Sequence, residues 1–190
     1  VNLGAATIMS GMEDLIVAGG VEVMSYYREV EPPNTLVAGN IDLREAHPQL
    51  SVGIAADVIA SEEDFSRESL DAFSAESQRR AGAALESGAF TRSLVPVYNP
   101  DGSLALDTEQ YPRPATTAEQ LGQLKPAFEA QMDMAFADSG MTFREWVNRT
   151  WPDLEVDHRH HAGSSSGIVD GAAALVLASP EYARSNELKP

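Results

Sequence analysis

The sequence predicts an α/β chain, on three observations. Residues 1–10 are helix-forming and run through Gly11 into a short apolar run at residues 15–18, a helix–strand unit too apolar to stand alone. A second apolar run at residues 172–178 follows a polar loop rich in Gly and Ser, His161-Ala162-Gly163-Ser164-Ser165-Ser166-Gly167. Between the two runs, apolar residues recur mostly at helical spacing. A small-residue polar loop at a strand's end is a common ligand site in α/β proteins, because glycine admits a close approach and serine hydroxyls donate or accept without charge. A flexible surface turn is the other reading of the same residues.

Each element has its own signal. Residues 1–10 are rich in Ala, Leu, Met and Ile, and Gly11 stands where a C′ glycine stops a helix. Leu15-Ile16-Val17-Ala18 reads as an interior strand that Gly19-Gly20 lets bend or pass close to a neighbour. Residues 26–49 carry Pro32, Pro33, Asn34, Gly39, Asn40 and Pro48 and read as an irregular loop. A helical pattern returns over residues 52–60. Ser66 is placed to cap a long helix with Leu70, Phe73, Ser77, Ala81 and Ala84 along one face, closed by Gly88. Residues 94–98 and 104–106 flank Asn99-Pro100-Asp101-Gly102 as a hairpin. Thr116 and Glu119 have capping-box spacing before Leu121 and Leu124, and Thr142 and Glu145 repeat it before Trp146 and Val147. Asp170-Gly171 is a turn signal ahead of the strand at 172–178, and Ser179-Pro180 opens a last helix with proline at its first position.

Composition excludes several function classes. A chain of 190 residues, 43% hydrophobic and 22% charged, buries one sizeable core, as one domain or a domain with an excursion. No apolar run is long enough to span a bilayer, and no signal-peptide pattern is visible from Val1 on. The expected setting is cytoplasmic, or an organelle matrix in a eukaryote. The net charge of −16 argues against nucleic-acid partners and anionic membranes, which need a basic footprint. An anionic ligand therefore needs local positive charge. With no cysteine, these residues offer no disulfide, no thiolate metal site and no thiol nucleophile.

The serine loop and the run Asp170-Gly171-Ala172-Ala173-Ala174 resemble the thiolases, whose pattern is Ala-Gly-Asn-Ser/Ala-Ser-Gly and then Asp-Gly-Ala-Ala-Ala. A second block is similar to the helix and strand that follow that family's nucleophilic cysteine. It runs Val1-Asn2-Leu3-Gly4-Ala5-Ala6-Thr7-Ile8-Met9-Ser10-Gly11 and resumes at Val17-Ala18-Gly19-Gly20-Val21-Glu22-Val23-Met24-Ser25. The resemblance covers essentially the whole chain but only a middle portion of a full thiolase. It implies a thiolase-like fold, here a partial N-terminal half of an αβαβα layered architecture with an inserted loop domain. Residues 1–25 would be the N-terminal-domain helix and strand, and 26–157 the loop domain. Residues 158–190 would be the return strand and the start of a linker to a second domain.

The same resemblance implies acyl transfer on acyl-CoA and 3-ketoacyl-CoA thioesters, as in an acetyl-CoA C-acetyltransferase. Coenzyme A is then a substrate, no further cofactor is expected, and the complete protein is a homodimer or homotetramer. No catalytic residue maps onto this chain. The reactive cysteine would lie before Val1 and the catalytic histidine beyond Pro190. Arg113, in Tyr111-Pro112-Arg113, matches an arginine that helps hold the adenine-nucleotide end of coenzyme A; guanidinium pairs with phosphate and stacks on a base better than a lysine does. Ala127 and Phe128, in Leu124-Lys125-Pro126-Ala127-Phe128, match the wall of the pantetheine tunnel, although by spacing Phe128 reads as a core aromatic. Ala162, Gly163, Ser166 and Ile168 match positions beside the pantetheine near its thioester, with the Ser166 hydroxyl placed to hydrogen-bond an amide of the arm. Two departures stand out. Ser164 replaces the family's usual Asn, and Ser51 or a neighbour falls where some biosynthetic members carry a histidine.

Two rival readings belong beside this one. The chain can be a non-catalytic coenzyme A-binding piece, or a subunit whose sheet a partner completes. Alternatively, His158 and His160 on one face of a strand, with His161, Asp157 and Glu155 nearby, can be read as a metal site, although no ligand motif supports it.

Overall fold

A computed structural model of the chain describes residues 1–27, 41–47, 49–135 and 140–189. The described residues pack as two units, one comprising Val1–Asn34 with Ile168–Pro190 and the other Thr35–Gly167. None of their helices is long and apolar enough to cross a membrane.

The first unit is built on a two-stranded antiparallel sheet. Helix α1 (Asn2–Met9) leads through Gly11, at φ +75°, into β1 (Leu15–Val23). The single turn α2 (Met24–Tyr27) follows β1. The partner strand β4 (Asp170–Ala178) pairs in unbroken register, from Leu15 opposite Ala178 to Val23 opposite Asp170. Helix α8 (Pro180–Ser185) then starts with Ser179 as N-cap and Pro180 at N1, as the dipeptide predicts.

A Ser–Asp pair closes each end of this sheet. At one end Ser179 Oγ donates to Asp14 Oδ1 (2.8 Å) and Ser179 N–H to Asp14 O (2.8 Å). At the other, Ser25 donates to the Asp170 carboxylate through N–H (2.8 Å) and Oγ (2.7 Å). Those bonds hold the Asp170 carboxyl below the usual aspartate range. Asp170-Gly171 is therefore strand and not turn, because Asp170 finds its acceptors' partners across the ladder at Ser25. β1 continues through Gly19-Gly20 to Val23, and Gly19 does pass close to its neighbour, since a Cβ there would lie 3.0 Å from Ala173 O.

Both strands were expected to be interior, and they are not. One face carries α1, whose Gly4 lies against Ile16 and Leu177 closely enough that a Cβ there would meet them at 3.2 and 3.1 Å. The opposite face presents Val17 (68% exposed), Val21 and Val176. This sheet has only two strands among the described residues, and they leave that face exposed.

The second unit is largely helical. It comprises α3 (Ile41–Ala46), α4 (Val52–Glu62), α5 (Arg67–Glu86), α6 (Ala118–Gly122), a 3-10 turn at Glu129–Asp133 and α7 (Phe143–Thr150). A short hairpin joins β2 (Val97–Tyr98) to β3 (Leu104–Leu106), so its first strand starts later than residue 94. Gly102 supplies the positive φ of +84° that the turn requires. The stretch read as loop over 26–49 holds the helical turns α2 and α3; residues 28–40 and Pro48 lie outside the described residues.

Ile54, Val58, Met132 and Val147 form the core, with Phe128, Trp151, Leu154 and Val156 packed around it. Helix α5 is capped by Ser66 and closed by Gly88 at φ +70°, as its sequence predicts, but its buried face is different. Asp71 and Gly82 face inward, while Phe73 is 77% exposed. The reason is what α5 packs on. Gly82 lies so close to Pro114 that a Cβ would overlap it, and Gln78 Oε1 accepts the Arg113 N–H (2.6 Å). The neighbouring segment thus asks α5 for small and polar groups. The capping box of α6 is Thr117 with Gln120, one residue beyond the pair expected, whereas α7 has its box at Thr142 and Glu145.

Candidate functional site

The serine loop lies in the second unit, and two buried aspartates hold the chain that leads into it. Asp57 is on the inward side of α4, three residues after the core residue Ile54, and is fully buried. Four donors converge on its carboxylate. Arg159 N–H (3.1 Å), His160 N–H (2.9 Å) and His160 Nδ1–H (2.8 Å) reach Oδ1, and His158 Nδ1–H (2.8 Å) reaches Oδ2. Burial opposes ionisation of Asp57, but the bonds from the His160 amide, the two imidazoles and the Arg159 amide together outweigh it and hold the carboxyl below its ordinary value. An ionised carboxylate only accepts, so each imidazole presents its proton on Nδ1.

Around this clamp, Asp157 N–H donates to Ser61 Oγ (2.9 Å) and Ala127 N–H to His160 O (3.0 Å). The Arg159 guanidinium donates to Ala60 O (3.1 Å), in the last turn of α4, and to Phe65 O in the loop that follows. Residues 158–160 are consequently not a strand carrying two free imidazoles. His158 and His160 do converge, on a carboxylate rather than on an ion. Among the described residues no three His, Cys, Asp or Glu side chains are grouped to hold a metal.

One helix further on, Asp71 of α5 takes His161 Nε2–H on Oδ1 (2.7 Å) and Arg67 Nε–H on Oδ2 (2.9 Å). His161 is fully buried. From there the loop folds back on its own first residue. The His161 carbonyl accepts from Ser164 N–H (3.0 Å), Ser164 Oγ (3.2 Å) and Ser165 Oγ (2.8 Å). Two of the three serine hydroxyls are therefore spent on building the loop. Ser166 is exposed and has no partner among the described residues. Gly163 is required sterically: a Cβ there would overlap Leu121 and lie 3.2 Å from the His161 ring.

The far end of the loop meets the segment that carries Arg113. Gly167 packs on the Tyr111 ring, where a Cβ would fall 2.7 Å from its hydroxyl. The Arg113 guanidinium stands 5.3 Å from the centre of the same ring. Arg113 is exposed and makes no ion pair among the described residues, so its charge is available locally in an otherwise acidic chain. Pro112 beside it lines a mostly apolar groove of about 310 Å³ with Ala81, Leu85, Phe90 and Leu94.

The residues singled out by sequence thus fall into three groups. Arg113, Gly163 and Ser166 belong to one assembly through Tyr111 and Gly167, and Ala162 is exposed within the same loop. Ala127 joins it through its bond to His160. Phe128 instead sits on Gly53 of α4, where a Cβ would overlap its ring, and packs against the core. Ile168 is exposed and belongs to the first unit. Ser51 occupies the N-cap of α4 and donates to Gln131 Oε1 (3.0 Å). Sequence reasoning missed Asp57, Asp71, Arg67 and Tyr111. The available signal was acidic residues in register with the buried faces of α4 and α5, upstream of a His-rich segment in need of acceptors.

A second hollow, about 560 Å³, is lined by Pro126, Glu129, Glu155, Val156, Asp157 and His158. Its carboxylates, Glu129, Glu155 and Asp157, make it an acidic hollow that repels anions.

The chain is similar to known proteins along its whole length. The family described as "Thiolase, N-terminal domain" matches residues 1–139. The acetyl-CoA acetyltransferase of Thiocystis violacea is 32% identical over all of this chain and 45% of its own length. That of Escherichia coli K12 is 32% identical over the same shares. Among solved structures, the dimeric peroxisomal thiolase of Saccharomyces cerevisiae superposes with a TM-score of 0.70 at 26% identity, over 99% of this chain and 42% of that one. Human mitochondrial 3-ketoacyl-CoA thiolase in complex with CoA gives 0.67 at 25% identity, over 100% and 44%. The chain spans less than half the length of these relatives.

Proposed function

This chain belongs to the thiolase family, and from that premise we propose that it forms the coenzyme A-binding part of an acyltransferase acting on acyl-CoA and 3-ketoacyl-CoA thioesters. The observation that carries the reading is the continuous assembly of Arg113, Tyr111, Gly167 and the serine loop, with Ser166 unpartnered among the described residues. Arg113 would take the phosphate and adenine end of the coenzyme, beside the apolar groove at Pro112. Ser166 would hydrogen-bond an amide of the pantetheine arm along the glycine-lined loop. Ala162 and Gly163 keep that path narrow and free of bulk.

In this reading the 190 residues supply binding and orientation, not the nucleophile, since they contain no cysteine. The attacking thiolate and its proton-transfer partners would come from other parts of the intact protein, which we take to be a cytoplasmic homo-oligomer. The second reading, a coenzyme A-binding subunit with no acyl transfer of its own, uses the same binding residues.

Calorimetric titration of the intact protein with coenzyme A tests the shared part. Arg113→Ala is expected to weaken binding about tenfold, as for loss of one charge-assisted contact. Binding unchanged in both Arg113→Ala and Ser166→Ala would sink the reading. Release of acetyl-CoA from acetoacetyl-CoA by the intact protein separates the enzyme from the silent subunit.

A further inference from the structure

The serine loop is held from behind by a buried acid–base pair that coenzyme binding does not itself use. Asp71 and His161 are both within 2% of complete burial. Each oxygen of Asp71 is already an acceptor, Oδ1 from His161 Nε2 and Oδ2 from Arg67 Nε. Arg67 is fixed in turn, because its Nη2 donates to the carbonyls of Leu121 (2.7 Å), in the last turn of α6, and Leu124 (2.8 Å), just beyond it. On the other side of the imidazole, Gly163 N–H donates to Nδ1 (3.0 Å). An N–H aimed at Nδ1 requires a lone pair there, so the ring proton is on Nε2. The arrangement is thus determined atom by atom, from Arg67 through Asp71 and His161 to the Gly163 amide. This is the opposite tautomer to that of His158 and His160, which turn Nδ1–H onto Asp57.

The chain of bonds ends in the loop. The His161 carbonyl accepts all three loop donors from Ser164 and Ser165, and His161 N–H donates to Ser164 Oγ (3.0 Å). Where His161 sits, the loop follows. We propose that His161 and Asp71 are positioning residues: they preorganise residues 163–167 so that Ser166 meets its ligand in one geometry. The proposal rests on the reading of this loop as a coenzyme A site.

Asparagine at position 71 makes the test sharp. Its amide must turn N–H2 either toward Arg67 Nε–H, donor against donor, or toward His161. The second choice moves the ring proton to Nδ1, against Gly163 N–H. In the intact protein, Asp71→Asn is expected to weaken coenzyme A binding at least tenfold. Hydrogen exchange of the peptide spanning residues 161–167 should speed up by a similar factor. Ser166→Ala, which weakens binding severalfold on its own, should have no further effect in the Asp71→Asn background, since a displaced loop no longer offers that hydroxyl.

A second pair of variants keeps the test open if Asp71→Asn does not fold. His161→Leu removes both ring nitrogens, whereas Asn Oδ1 in His161→Asn falls where Nδ1 was and still accepts from Gly163. His161→Asn should therefore recover most of the loop protection that His161→Leu loses, a rescue that volume alone would not produce. Binding and exchange both unchanged in Asp71→Asn and His161→Leu, with the Ser166→Ala effect intact, would overturn the positioning role alone. A wild-type protein that binds no coenzyme A would instead overturn the reading on which the proposal stands.

Discussion

Asp57 and Asp71 are both buried aspartates, but replacing each by asparagine has different consequences, because their donors are distributed differently. At Asp57 three donors share Oδ1 and only His158 Nδ1–H uses Oδ2. An asparagine there can keep Oδ1 for the three and turn its N–H2 to His158, whose proton can move to Nε2 beside the open acidic hollow. Asp57→Asn is therefore expected to cost about 1 kcal/mol, near the net worth of one hydrogen bond. Asp57→Ala strands four buried donors and should cost roughly 3 kcal/mol or more. Urea unfolding at neutral pH measures both. The pH dependence follows from the sign of the shift. The Asp57 carboxyl lies below its ordinary value in the folded chain, so the unfolded chain binds more protons as pH falls. Its contribution is complete above the ordinary aspartate range and is lost as pH drops through the lowered folded value. Asp101, Asp133 and Asp170 are shifted the same way by Ser103, Arg144 and Ser25 and add to the slope. Unfolding curves at a series of acidic pH values should show a shallower loss of stability for Asp57→Asn than for the wild type.

At the scale of elements, stability is concentrated where one side chain serves two structures. Ser179 caps α8 by accepting Tyr182 N–H (3.1 Å) and donates to Asp14 at the foot of β1. Ser179→Ala loses both, and thermal melting should report a cost of about 1–2 kcal/mol. Gly53 plays the corresponding role in α4. It admits the Phe128 ring to the helix surface, so Gly53→Ala must displace that ring and with it the turn carrying Met132. An overpacking cost of about 1–3 kcal/mol is expected despite alanine's better helix propensity, measurable by denaturant titration. Helix starts and stops were legible because capping chemistry is local. Ser66, Thr142 and Ser179 each cap as their spacing predicts, and Gly88 closes α5. The inward face of α5 was not legible, since Gly82 and Asp71 are buried only because Pro114 and His161 press on that side.

At the scale of the whole molecule, the sheet of the first unit is the exposed liability. Cross-strand neighbours Val17 and Val176 are 68% and 65% exposed on the face away from α1, and both outer strand edges lack a partner among the described residues. Contiguous apolar surface of this kind drives association. The 190-residue chain by itself is expected to self-associate in sedimentation velocity. Val17→Lys with Val176→Glu should shift it toward monomer while preserving the register, since the two charges face each other as a pair. A monomeric wild-type chain at tens of micromolar would contradict this.

The sequence by itself determined the family, the order of helices and strands and most helix caps, because those signals reside in contiguous motifs and short-range hydrogen bonds. Only the tertiary structure decided which polar groups go inside. Asp57 lies about a hundred residues from the histidines it holds, and Asp71 ninety from His161, separations that no local spacing records. The tertiary structure likewise turned the His-rich segment from an imagined metal strand into a clamp, and set Phe128 into the core. Burial makes an ionised carboxylate tolerable only where several donors meet it at once, and such meetings are made by the fold rather than by any one stretch of chain.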